Sequence, residues 1–317
     1  MKSKGVKITL IIILSLIAIA LISFMIYVIV NKDKDFKVKF SLIAFGDNTE
    51  KIFEKEYNPE EIDSIHIDVS SSNVKIEKVD TDKIKIIAYG DKDERIKEII
   101  NERELSISKE NTKIFIFAMF YWSREEIIVQ IPNDCNEEFK IHTSSGNIIA
   151  PNLDSNNVHF ETSSGKIECG NINKGELKSS SGNISVGNVT NLSAEASSGN
   201  IEVGTIGEGR IKTSSGKIIV EGAKRIQAEA SSGKIDINKI ESYCNLTTSS
   251  GNIDVDSLNI TENSYINAKS GNIMIKSKND IYVETETGSG DADVKNNNRM
   301  AETVLKINTT SGSINVD

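Results

Sequence analysis

The phrase Ser-Ser-Gly-(Asn or Lys)-Ile, or a close variant of it, returns throughout the second half of the chain. It places glycines at Gly146, Gly165, Gly182, Gly199, Gly216, Gly233, Gly251, Gly271, Gly290 and Gly312, with successive spacings of 19, 17, 17, 17, 17, 18, 20, 19 and 22. A period this short and regular specifies a solenoid, because each repeat is a unit that cannot bury its apolar face alone and must stack on its neighbours. Propeller blades need about forty residues each, so the spacing excludes them.

Within a repeat, apolar residues alternate on both sides of the glycine. Around Gly199 they are Leu192, Ala194 and Ala196 before it and Ile201 and Val203 after it; Ile226, Ala228, Ala230, Gly233, Ile235 and Ile237 repeat the pattern. Period-two alternation means strands. A further apolar residue seven past the glycine (Leu153, Ile172, Val189, Ile206, Ile240, Leu258) marks a third inward corner. The expected fold is therefore all-β, a parallel β-solenoid resembling a single-stranded β-helix with about 17 residues per rung. Nine intervals at ~4.8 Å give a rod of roughly 43 Å. The glycines are expected to be turn residues with positive φ, and the position three before each is small, as a bend across a narrow core requires.

Residues 8–30 are a run of 23 without charge, against about 20 needed to cross a bilayer. They are expected to form a transmembrane helix after a short tail, 1–7. Lysines flank the run on both sides, so charge does not orient it. Long domains translocate largely regardless of charge, and the expectation is a single-pass protein of the cell membrane with its C-terminal domain extracytoplasmic. Removing Lys2, Lys4 and Lys7 from 37 basic residues leaves 34 against 46 acidic, a net charge of −12 beyond the membrane. That opposes nucleic acid or an anionic lipid surface as the main partner.

Residues 31–60 read as a juxtamembrane segment and 61–142 as degenerate first rungs; the regular rungs run over 143–317. The first rung has Ser72 in the glycine slot, with Ile65, Ile67 and Val69 before and Val74 and Ile76 after it. Ile96, Ile99 and Ile100 stand at helical spacing and predict a short helix over 93–101. An aromatic hairpin follows, in which Phe115, Phe117, Phe120, Tyr121 and Trp122 form a candidate interaction patch or a plug for the open end of the core. No cap is legible at the C-terminal end.

Candidate chemistry is sparse. Glu161, Lys178, Glu195, Lys212 and Glu229 form an outward ladder of alternating charge, a structural feature. Asp236 and Asp254 could share a cation, but Lys217 and Lys234 could neutralise them. His66, His142 and His159 lack metal or triad spacing. Cys169 and Cys244 point inward about four rungs apart, far beyond disulfide reach, and Cys135 is the third thiol. The reading is an enzyme in no respect: no catalytic residue, no metal site and no cofactor.

The opening Ile-His-Ile-Asp-Val-Ser-Ser-Ser-Asn-Val-Lys-Ile, the Ile-Val-Gln-Ile step before Pro132 and the iterated Thr-Ser-Ser-Gly-Asn/Lys-Ile rungs resemble the bacterial "putative adhesin" family of β-strand-repeat domains, over about residues 60–317. The resemblance implies the fold and a loose relation to Lia-type cell-envelope stress proteins; it supplies no catalytic residues. The expected function is a membrane-anchored, noncatalytic surface protein for adhesion, interaction or envelope-stress response, with an unknown protein or cell-envelope partner. A polysaccharide-cleaving enzyme on a parallel β-helix and a structural spacer are the alternatives.

Overall fold

The computed structural model describes residues 36–40, 49–109, 113–117, 125–135, 137–151, 153, 157–295 and 297–317, the strands 36–40 and 113–117 by their backbone. The run 8–30 lies outside the described residues. Among the described residues, no helix is long and apolar enough to cross a membrane. The chain divides into two units, one of residues 1–47 and 111–122 and one of residues 48–110 and 123–317. In the first, strands Phe36–Phe40 and Lys113–Phe117 pair in parallel, Phe36 with Lys113 through Phe40 with Phe117.

The second unit is a β-solenoid. Its rungs alternate between two faces joined by the Ser-Ser-Gly corner. In the centre, strands Ile201–Thr213, Ile218–Ala230 and Ile235–Thr248 each run from the second face of one rung, around the third corner, onto the first face of the next. Register confirms the stacking: Leu177 pairs with Ala194, Ala194 with Ile211 and Ile211 with Ala228, each a step of 17. The steps lengthen toward the ends, to 19 between Phe139 and Val158 and 20 between Leu246 and Ile266. The alternation predicted from sequence appears as burial. Ile148, Ile167, Ile184, Ile201, Ile218, Ile235, Ile253, Ile273 and Ile314 form one stacked column, none more than 1% exposed. At about 1.5–3 kcal/mol for each fully buried aliphatic side chain, this column and its counterparts drive the stacking.

In the rung around Ser72, Ile65, Ile67, Val69, Val74 and Ile76 are buried, with Ile65 paired to Phe139 and Val74 to Ile148. The order of levels, however, departs from the order of the sequence at both ends. Strands Glu104–Lys109 and Glu126–Ile131 lie on the far side of this rung, Leu105 against Ile65 and Ile127 against Val74. The chain thus begins on an inner level, steps outward, then passes back over its own start to Glu138–Thr143. The C-terminal end repeats the manoeuvre. The last strands, Val304–Ser311 and Ile314–Val316, do not follow 282–294 outward but insert between them and the rung at 264–277. The expectation that regular rungs simply run to the end is corrected accordingly.

Three antiparallel strands finish the N-terminal end. Ile84–Gly90 pairs with Glu126–Ile131, and Glu50–Tyr57, within the segment read as juxtamembrane, pairs with Ile84–Gly90. The helix expected over 93–101 is absent; Ile96–Asn101 is a strand hairpinned onto Glu104–Lys109. The reason lies in the turn. Glu102 and Arg103 have φ of 47° and 66°, the pair of positive values of a two-residue hairpin loop, and Arg103 is held there by two 2.7 Å bonds to the Asp63 carboxylate.

Candidate interaction surfaces

The corner carrying the repeat glycines is a column built by close approach. A Cβ on Gly199 would lie 1.9 Å from the carbonyl oxygen of Gly182, and the same contact recurs up the stack, from Gly165 on Gly146 (1.8 Å) to Gly271 on Gly251 (2.0 Å). Of the ten repeat glycines only Gly290 and Gly312 have positive φ, 132° and 152°. The expected positive-φ turn is therefore corrected at Gly146, Gly165, Gly182, Gly199, Gly216, Gly233, Gly251 and Gly271. There the backbone of one rung sits where a side chain would be. Gly312 stacks on Gly271, and Gly290 on Gly312, in the interleaved order of the C-terminal levels.

Polar side chains stitch this column together. The Thr213 hydroxyl accepts from its own Gly216 N–H at 3.1 Å and donates to the Gly199 carbonyl of the preceding rung at 3.2 Å. Thr162 and Thr143 do the same three and four levels below. The sequence showed only that this position is small. Beside it, Asn147, Asn183, Asn200, Asn252 and Asn272 each accept, through the side-chain oxygen, the backbone N–H of the residue one rung on, at 2.9–3.0 Å. A second asparagine ladder, Asn171 to Asn188 to Thr205, follows another corner. The corner is structural machinery.

The titratable candidates resolve into ion pairs. Lys234 Nζ bridges Asp236 (2.7 Å) and Asp254 (2.6 Å), supplying the positive charge a cation would have brought. Among the described residues no group of three or more metal-type ligands occurs. His142 meets Asp68 at 2.9 Å and His159 meets Glu176 at 3.1 Å, while the charge ladder makes direct contact between Lys212 and Glu229 at 3.5 Å. Cys169 and Cys244 are buried, and burial pushes both thiols up to about 12. Cys135 is buried too, against the Glu137 carboxylate, and is likewise raised. At the N-terminal end burial works against ionisation of Glu125, but Lys109 at 2.6 Å with Ser71 and Ser72 outweighs it and holds the carboxyl below its ordinary range.

Of the aromatic patch, Phe115 and Phe117 belong to the strand paired with Phe36–Phe40, in register with Val38 and Phe40. Phe120, Tyr121 and Trp122 lie outside the described residues.

Sequence reading missed a trough on the first face. Two columns of outward side chains run parallel to the stack. One is Lys174, Asn191, Glu208, Arg225 and Tyr243; the other is Glu176, Ser193, Arg210 and Gln227. Between them is a cavity of about 340 Å³, floored by the strands at Gly175, Leu192, Gly209 and Ile226. Asn191 and Ser193 are the short members, so both walls drop on one rung. At one end the Arg225 guanidinium lies 4.9 Å from the centre of the Tyr243 ring and pairs with Glu262. At the other, Glu176 is bound by Lys178 at 2.5 Å. The signal was present in the sequence, since the columns stand eight and six residues before successive glycines.

Among solved structures, the chain is similar to a "putative adhesin" from Parabacteroides distasonis (14% identity, 88% of this chain and 99% of that one, TM-score 0.41). It is also similar to one from Parabacteroides merdae (13%, 89% and 100%, 0.34) and one from Bacteroides fragilis (13%, 84% and 96%, 0.34). No curated protein matches. The Toastrack DUF4097 family matches residues 62–317, all but the N-terminal fifth of the chain, and the chain is a member of that family.

Proposed function

We propose that this protein is a noncatalytic contact module of the cell surface, anchored by residues 8–30 and presenting its solenoid outside the membrane. The observation that carries the reading is the first face, where side chains in register over many rungs form continuous columns with a trough between two of them. A rigid sheet that repeats its surface along an axis suits contact with an extended partner. The uncharged run 8–30 and the acidic balance, −9 for the whole chain, support display outside the membrane over nucleic-acid binding. Phe115, Phe117, Phe120, Tyr121 and Trp122 are proposed as a second contact element, since aromatic side chains carry much of the energy of interfaces.

Protease treatment of intact cells expressing the chain tests the display. Loss of the solenoid while cytoplasmic markers survive is expected, and protection of the solenoid would overturn it. The contact reading is tested by adhesion of those cells to immobilised cell-envelope material, with excess purified chain as competitor. Adhesion equal to that of cells lacking the chain would overturn it.

A further inference from the structure

We propose that the trough between the columns headed by Lys174 and Glu176 binds a linear, acidic oligosaccharide lying along the solenoid axis. The inference rests on the contact reading above and assigns the ligand class.

Shape argues for an extended molecule. The columns run over five rungs, from Lys174 to Tyr243, or about 19 Å at ~4.8 Å per rung. The rise of one rung is close to the advance of an extended polysaccharide per sugar. An extended peptide fits less well, because strand addition needs a free sheet edge. Here the floor strands already pair with one another through Gly175, Leu192, Gly209 and Ile226, so a peptide backbone would find no ladder to join.

The lining suits hydroxyl groups. Asn191 and Gln227 each offer a donor and an acceptor and Ser193 offers both on one oxygen. Among the described residues these side chains and Arg210 make no hydrogen bond or ion pair. On the neighbouring column, by contrast, Lys178 is tied to Glu176 and Lys212 to Glu229. The charge then selects an acidic sugar. Glu176 is neutralised by Lys178, and Arg225 by Glu262. Arg210 and Lys174 remain against Glu208, a net positive strip on a chain whose formal charge is −9. The fork of Arg210 matches a carboxylate bidentately, and the Tyr243–Arg225 stack gives the trough a flat end wall.

The test uses the full chain in a polyoxyethylene-ether detergent, which carries no sugar. The probes are fluorescent hexamers of galacturonic acid, of N-acetylglucosamine and of glutamic acid, read by anisotropy. The galacturonate hexamer is expected to bind, and Arg210→Gln to weaken it at least tenfold. Ser193→Arg should weaken it similarly by filling the low point of the walls, although it adds a positive charge. Lys306→Gln, on the same face outside the trough, should leave binding unchanged, and all three variants should keep the parent melting temperature. Failure of the galacturonate hexamer to bind would overturn the proposal. So would equal binding of the neutral or the glutamate hexamer, or tighter binding by Ser193→Arg, the mark of mere charge attraction. Should the hexamers fail while envelope adhesion persists, the ligand class falls and the contact reading stands; loss of both removes both.

Discussion

At Gly199 the two possible reasons for a glycine predict different things. A positive-φ turn would tolerate asparagine, which visits that region more readily than other residues; a backbone seat 1.9 Å from the carbonyl of Gly182 tolerates no Cβ at all. Gly199→Asn and Gly199→Ala should therefore both destabilise strongly, by about 3 kcal/mol or more, the range of severe packing defects. Urea denaturation checks this, and near-parent stability of the asparagine variant would restore the turn explanation. Thr213→Val keeps the side-chain volume but strands a buried N–H and a buried carbonyl, a loss of about 1–3 kcal/mol. The offsets of these residues were legible in the sequence because each repeats at a fixed distance from the glycine. Their roles were not, since the Thr213 hydroxyl acts on a residue one rung away and single-chain periodicity does not show what lies above or below. The same holds for the trough, whose walls are contiguous only across rungs. The buried thiols give a simpler check: Cys169 and Cys244, raised to about 12 by burial, should resist iodoacetamide at pH 8 in the folded protein and react in urea.

Elements at the two ends are where sequence and structure part. Ile96, Ile99 and Ile100 satisfy a helical spacing, but the segment is six residues long and the Glu-Arg turn that makes it a strand lacks the usual glycine or asparagine. At the opposite end, the Asn297 amide donates to the Val283 carbonyl at 2.9 Å and accepts its N–H at 3.0 Å. One side chain thereby imitates a neighbouring strand and blunts the exposed edge of Tyr282–Ser289, a device against edge-to-edge association. Asn297→Ala should cost about 1 kcal/mol and make sedimentation concentration-dependent; a variant that stays monodisperse would show the edge to be protected otherwise. The N-terminal end has its own sensitivity, to acid. Glu125 is held below its ordinary range against burial by Lys109, Ser71 and Ser72, and Glu54 is lowered to about 2 by Lys51 and then Lys85. A carboxyl whose folded pKa is depressed contributes stability above its unfolded value, near 4.5, and loses it as pH falls through the folded one. Melting temperature should thus drop between about pH 4.5 and 2, with the slope reduced in Glu125→Gln. Glu54 is fully exposed and contributes less than its shift suggests.

The molecule as a whole departs from a simple stack in the order of its levels, and this is open to a direct test. Every rung carries the same alternation of buried and exposed residues, so the pattern identifies a rung without saying which level it occupies; the sequence is silent on the interleaving for that reason. In an ordinary solenoid stability is nearly a sum of rung and neighbour terms, and each terminal rung removed lowers it by a similar step. Here the final strands, 304–316, are an inner level, and 282–294 is the outer one that rests on them. A chain ending at residue 296 keeps the outer level but loses the inner level beneath it, whereas a chain ending at Ile281 loses both and leaves the rung at 264–277 as a clean end. The longer truncate should accordingly be no more stable than the shorter, despite its extra strands, and its residues 282–296 should exchange amide protons as an unstructured tail. Urea midpoints for the two truncates and the full chain decide the matter. A midpoint for the 296-residue chain halfway between the others would mean that the levels stack in sequence order and that the interleaved register is wrong.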